Sequence, residues 1–207
     1  QAKHAEIPVL GLGTWPMGGA SCANAVAQAL AIGYRHIDTA QMYGNEADVG
    51  AGLRNSGIPR DDVFITTKVE RQSASAKRLP GSVEDSLRKL RLDYVDLLLL
   101  HWPNPSVPVA ETVTALSEMK RRGLARHIGV SNYTIDLLDE AVRTSPEELV
   151  VNQVEYHPFV DQSKLLAAMR RHGLATMAYS PIARGRVAGN RVIDEIALAH
   201  GKTAAQV

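Results

Sequence analysis

The chain has 207 residues, of which 45% are hydrophobic and 22% charged, with a formal net charge of +1. That length suffices for one well-buried core, and near-neutrality argues against a nucleic-acid or membrane-surface binder, which carries a concentrated basic excess. A single cysteine, Cys22, rules out an intrachain disulfide framework and fits a reducing, cytoplasmic setting, and no apolar run approaches the roughly 18–20 residues of a membrane helix.

Taken in order, Pro8–Thr14 alternates apolar residues with glycine and reads as a short strand. Ser21 is placed to cap a helix running to about Ile32, with Val26 and Leu30 on one face and Gly33 as its stop. Arg35–Asp38 is a second strand, and Glu46–Asn55 a helix burying Val49 and Leu53. Asp62–Val69 is a third strand, rich in branched and aromatic residues. A polar loop, 70–78, leads to a helix opened by Pro80, with Val83, Leu87 and Leu90 on one face. Tyr94–Leu100 is nearly all apolar, the pattern of a strand buried on both faces. Helices are expected over Val109–Arg122, Ile135–Arg143, Ser163–His172 and Val192–His200, with another starting near Thr203. Between them lie strands at Arg126–Val130, Leu149–Val154 and Leu174–Ala178.

Strict alternation of this kind means a parallel sheet with right-handed crossovers. Polar residues stand at the C-terminal ends of nearly every strand, the habit of a closed barrel rather than of an open sheet with one switch point. No Gly-x-Gly-x-x-Gly opens the helix after strand one, because Gly11-Leu12-Gly13 runs into Thr14-Trp15-Pro16. The expectation is a (β/α)8 barrel forming one domain over 1–207, without its eighth strand and C-terminal segment. The start at Gln1 and the helical pattern at Val207 agree in suggesting a sequence incomplete at both ends.

Asp38, Tyr43, Lys68 and His101 come from the ends of strands two, three and four or from the loop just past them. Strand side chains alternate faces, so Thr66 shares a side with Lys68, and Leu97 and Leu99 share one with His101. All four polar groups can converge on one mouth. A phenol is a poor acid at neutral pH, with a reference value of about 10. An adjacent ammonium stabilises a phenolate, a carboxylate holds the ammonium, and a histidine orients a carbonyl oxygen. Such a set suits proton delivery to an oxygen that becomes an alkoxide. Taken singly, each residue has a bland reading: a strand-end cation, a loop aromatic, a strand cap or a turn cap. It is the joint placement that points to chemistry.

The chain resembles the aldo-keto reductases. The resemblance runs from Leu10 to Val207 through Gly-Tyr-Arg-His-Ile-Asp-Thr-Ala, Tyr-Gly-Asn-Glu, Thr-Thr-Lys-Val and Leu-Leu-Leu-His-Trp-Pro. It continues through Ile-Gly-Val-Ser-Asn-Tyr, Asn-Gln-Val-Glu-Tyr-His-Pro and Tyr-Ser-Pro-Ile-Ala, and looks most like the bacterial branch that reduces sugar acids and small dicarbonyls, including diketo-gluconate. It implies hydride transfer from NADPH, with NADH not excluded, to an aldehyde or ketone. By position, Tyr43 is then the general acid, tuned by Lys68 with Asp38, while His101 orients the carbonyl. Ser131, Asn132 and Gln153 match the residues holding the nicotinamide carboxamide, and Tyr179 the ring stacked on its face. Ser180, Pro181 and Ile182 begin the loop over the pyrophosphate, where Arg184 meets the anion. Thr14 and Trp15 match positions lining cofactor and substrate, and Trp102 a substrate wall. Ser131 and Asn132 also suit an N-cap for the following helix. His157, before Pro158, reads as structural. Where relatives often place an aromatic after the lysine and valine of strand three, this chain has Glu70.

The implied partner is a small carbonyl compound, for a monomer that binds neither nucleic acid nor membrane. Two rivals remain. One is a metal-dependent barrel hydrolase using His36, Asp38, His101 and His157, which lacks the closely spaced histidine pair of a strong site, so no metal is expected. The other is a non-catalytic cofactor-binding subunit, which would be marked by loss of the tyrosine or the lysine; both are present.

Overall fold

In the computed structural model, which describes residues 3–207, all six residues of the fourth strand are buried. Leu98 and Leu100 pack outward with Ile37, Ile65 and Val69 against the helices. Leu97 and Leu99 point the other way, into a second cluster with Val151, Phe64 and Met177. Period-two alternation has thus sorted one apolar run into two cores, one outside the sheet and one within it. Each buried leucine contributes about 1.5–3 kcal/mol relative to exposure.

The strands are β1 (Leu12–Gly13), β2 (His36–Asp38), β3 (Phe64–Val69), β4 (Val95–Leu100), β5 (Ala125–Ser131), β6 (Leu149–Glu155) and β7 (Ala175–Tyr179). The helices are α1 (Gly19–Ala31), α2 (Glu46–Ser56), α3 (Leu79–Leu90), α4 (Val109–Arg121), α5 (Ile135–Thr144), α6 (Ser163–Arg171) and α7 (Arg191–Ala199). Strand order follows chain order, every neighbouring pair is parallel, and the sheet curls into a nearly closed barrel lacking a final strand. This is the (β/α)8 architecture expected from the alternation. Among the described residues no helix is long and apolar enough to cross a membrane.

Several local expectations need correction. The first strand keeps only Leu12–Gly13 of the seven residues expected. Ser21 does not cap α1, which begins at Gly19 after Gly18; its hydroxyl donates instead to Gly18 O at 2.7 Å. Asp62 falls in a short turn, Arg60–Asp62, ahead of β3. Neither Ser131 nor Asn132 caps α5, because Thr134 stands in that position. The segment at Thr203 makes turns rather than a helix.

Two positions within the sheet are tightly constrained by their neighbours. Gly129 on β5 is a close-approach glycine: a Cβ there would lie 2.6 Å from Val151 O and 2.9 Å from Leu99 Cδ2. Asp96, 3% exposed in the apolar β4, accepts from Ile65 N at 2.8 Å, Arg60 Nη2 at 2.6 Å and Arg126 Nη1 at 3.1 Å. Those donors offset the cost of burying its charge.

Candidate active site

The inward-facing residues change character along the strands. Below lie Leu97, Leu99 and Val151; above them, towards the strands' C-terminal ends, come Asp38, Lys68, His101, Ser131, Gln153 and Tyr179. The register Asp38↔Thr66 and Lys68↔Leu99 brings β2 and β4 alongside Lys68 on β3.

Lys68 is 0% exposed, so its ammonium needs partners. It donates to Asp38 Oδ1, to Thr39 O at 2.9 Å and to Tyr43 Oη at 3.3 Å. The other Asp38 oxygen accepts from Gln153 Nε2 at 2.7 Å. The cation is therefore held by a carboxylate and a carbonyl while its third contact is a phenol. Tyr43 ends the turn Gln41–Tyr43 that follows β2. Its ring receives His101 edge-on, with centroids 5.6 Å apart and planes at 79°.

His101 is 7% exposed, and burial, then the Lys68 ammonium, push its imidazole down to about 4 against the opposing pull of Asp38. Near neutral pH it is uncharged and can donate one hydrogen bond but not act as an imidazolium. Its Nδ1 is buried without a hydrogen-bond partner. The four residues expected to converge thus do so at one rim.

The opposite side of the mouth is an amide and hydroxyl chain. Ser131 Oγ donates to Gln153 O at 2.8 Å, and Asn132 Nδ2 donates to Ser131 Oγ at 3.1 Å and His101 O at 3.0 Å. Tyr179 Oη donates to Asn132 Oδ1 at 3.0 Å. Asn132 holds this place with a left-handed φ of 61°. Thr14 is buried and its hydroxyl donates to Asp38 O at 3.1 Å. Ser180, Pro181 and Ile182 lead from β7 to Arg184, whose guanidinium lies 5.3 Å over the Trp15 ring. Trp15 and Trp102 are 55% and 42% exposed. Trp102 lines a groove of about 900 Å³ with Asn132, Glu155, Lys164 and Tyr179.

Three supporting residues were not singled out from the sequence. Asn45 Nδ2 donates to Thr14 O at 3.1 Å and Met17 O at 2.9 Å, and its Oδ1 accepts from Thr39 Oγ1 at 2.7 Å. It sews the loop after β1 to the turn bearing Tyr43. Glu46, buried behind that turn, accepts from Thr67 Oγ1 at 2.7 Å, and burial raises its carboxyl above the usual range. Gln41 is the third. The signal was the polar run around Tyr-Gly-Asn-Glu, too polar for a turn that merely reverses the chain. His157 is tied to Glu155 Oε1 at 3.1 Å and accepts from Phe159 N at 3.2 Å. His36 pairs instead with Thr66 Oγ1 at 2.9 Å. Among the described residues no three His, Cys, Asp or Glu side chains are grouped to hold a metal ion.

Comparison with known proteins agrees with this geometry. The sequence profile described as "Aldo/keto reductase family" matches residues 9–205. The chain is 44% identical over 205 residues to the methylglyoxal reductase DkgB of Yersinia pestis, spanning 98% of this chain and 77% of that protein. A crystal structure provisionally assigned as a 2,5-diketo-D-gluconic acid reductase B superposes with a TM-score of 0.94 at 50% identity, over 97% of this chain and 71% of that one. The Bombyx mori aldo-keto reductase solved in complex with NADP gives 0.87 at 32% identity, over 96% and 74%. Sequence and barrel lead to one conclusion: the chain belongs to the aldo/keto reductase family, oxidoreductases that act on carbonyl groups.

Proposed function

We propose that residues 1–207 act as one reductase domain that converts an aldehyde or ketone to the alcohol, using NADPH, with Tyr43 as the general acid. The observation that carries this reading is the Tyr43 phenol 3.3 Å from the enclosed Lys68 ammonium, with His101 against its ring. Proton transfer from a positioned phenol needs a cation to meet the negative charge left behind. Lys68 stands where that charge would form.

The neutral state of His101 strengthens the assignment. With its imidazole pushed down to about 4, roughly one molecule in a thousand carries imidazolium at pH 7. His101 therefore serves as hydrogen-bond donor to the carbonyl oxygen, and the proton comes from Tyr43.

The donor set fits a nicotinamide nucleotide. A flat ring bearing a carboxamide needs an aromatic face and amide or hydroxyl partners. Tyr179 offers the first, and Ser131, Asn132 and Gln153 the second. Arg184, with Ser180, Pro181 and Ile182, offers a cationic loop for the phosphates, and Thr14, bonded to Asp38 O, is a further cofactor-side residue. The nicotinamide, when bound, supplies the hydride. The exposed rings of Trp15 and Trp102 offer apolar surface suited to a small carbonyl compound. The relatives' reported substrates, methylglyoxal and diketogluconic acid, suggest a dicarbonyl or keto acid here. The single buried cysteine and near-neutral charge suit a cytoplasmic monomer.

The test is oxidation of NADPH, with NADH in parallel, over aldehydes, ketones and dicarbonyls, for wild type and Tyr43→Phe. General acid catalysis contributes about 10²–10⁴-fold. The substitution should lower kcat by that order and leave KM and nucleotide affinity nearly unchanged. Near-normal turnover with nucleotide binding intact would remove Tyr43 from the role.

A further inference from the structure

The turn Gln41–Tyr43 presents a difficulty. It carries the phenol, yet none of its three residues is fully buried. Packing alone is a thin anchor for such a turn, and polar contacts must help to fix it. We propose that Gln41 is the positioning residue for Tyr43: its side-chain amide locks the turn to α3 and to the residue directly after the strand that carries Lys68, and so sets the Tyr43–Lys68 contact. This rests on the reading of Tyr43 as the acid.

The amide of Gln41 makes three contacts, two on α3 and one at the exit of β3. Its Nε2 donates to Ser82 O and to Ser86 Oγ, both at 2.9 Å and both on α3. Its Oε1 accepts from Glu70 N at 2.9 Å, two residues beyond Lys68. Ser86 is itself buried and donates to Ser82 O, so the receiving surface is rigid. Asn45 holds the far end of the turn by its bonds to Thr14 O and Met17 O. Tyr43 thus sits between two amide clamps. That of Gln41 reaches Glu70, the residue directly after β3.

The experiment uses the full-length enzyme and the variants Gln41→Met, Gln41→Glu, Tyr43→Phe and the double variant Gln41→Met/Tyr43→Phe. Misplacing a reacting group by about 1 Å can cost on the order of 10²-fold. In Gln41→Met kcat should fall about 10–100-fold, with KM and nucleotide affinity within about threefold of wild type. In the Tyr43→Phe background the same change should have no further effect, since a residue acting through the phenol has nothing left to position. Gln41→Glu keeps the size and the acceptor for Glu70 N but loses its donors to α3 until the new carboxyl is protonated. Its turnover relative to wild type should therefore recover as pH falls, and this variant decides the matter if Gln41→Met does not fold. A kcat within twofold of wild type in the folded variants overturns the inference. So does a loss that multiplies fully with that of Tyr43→Phe. Near-normal turnover of Tyr43→Phe overturns both readings, whereas a slow Tyr43→Phe beside unimpaired Gln41 variants overturns this one alone.

Discussion

Gln153 Nε2 donates at 2.7 Å to Asp38 Oδ2, across 115 positions of sequence, on the carboxylate whose other oxygen accepts from Lys68. One acid thereby joins the side of the mouth that holds Lys68 and Tyr43 to the amide chain on the opposite side. A disturbance of the Lys68–Asp38 pair should be felt on both.

Lys68→Met tests that pair. Removing one partner of an enclosed ion pair typically costs about 3–5 kcal/mol, because the remaining charge is left uncompensated. Lys68→Met should lose about 3–5 kcal/mol in urea unfolding. The double variant Asp38→Asn/Lys68→Met should recover more than half of this and yet stay slow in turnover. A double variant no more stable than the single would show that lost packing, not charge, sets the cost.

His101 predicts a pH dependence. Its folded-state value of about 4 lies below the ordinary 6.5, so above 6.5 both folded and unfolded forms are neutral and full stability is present. As pH falls from 6.5 towards 4 the unfolded chain takes up the proton first, and stability is lost across that window. The gap bounds the loss at about 3 kcal/mol. Burial lowers His36 and His127 as well, in the same sense. Unfolding free energies at pH 7 and pH 4.5 should therefore differ by less in His101→Gln than in wild type. An unchanged difference would contradict burial as the cause.

Tyr179→Ala should weaken nicotinamide nucleotide binding. Aromatic stacking adds about 0.5–1.5 kcal/mol beyond buried area, equivalent to roughly 2–10-fold in Kd. The hydroxyl's bond to Asn132 Oδ1 separates two effects: Tyr179→Phe keeps the ring and should bind close to wild type. Fluorescence titration measures both, and equal weakening by the two variants would argue against stacking.

Gly129→Ala should destabilise without touching the mouth. The added methyl meets Val151 O at 2.6 Å, a backbone atom that cannot rotate away. Overpacking of this kind costs about 1–3 kcal/mol, visible as a lowered Tm. An unchanged Tm would mean that β5 and β6 separate more easily than their packing suggests.

Much of this was legible in the sequence because strands report themselves by composition. Val95–Leu100 needed no context, and the alternation of Leu97, Leu99 and His101 placed the histidine inward before any coordinates. Boundaries were less legible where short elements are held by distant partners. Pro8–Thr14 looked like a strand, but only Leu12–Gly13 pairs with β2. Ser21 looked like a cap, but the helix starts earlier. Gln41 and Asn45 escaped because the polar run around Tyr43 marks the turn as unusual without telling which distant backbone atoms its side chains bond. Asp96 goes unmarked within the apolar strand Tyr94–Leu100. Its partners, Arg60 and Arg126, stand 36 and 30 positions away.

The layer beneath Lys68 has one more consequence. Leu97, Leu99 and Val151 are wholly enclosed, and the polar atoms on the same side of β2 and β3, His36 Nε2 and Thr66 Oγ1, are engaged with each other at 2.9 Å. A proton given up by Tyr43, on the proposed reading, is then replaced most directly from solvent through the mouth. That is the same opening through which a carbonyl compound would enter and an alcohol leave, so restoring the acid has to take its turn with emptying the site.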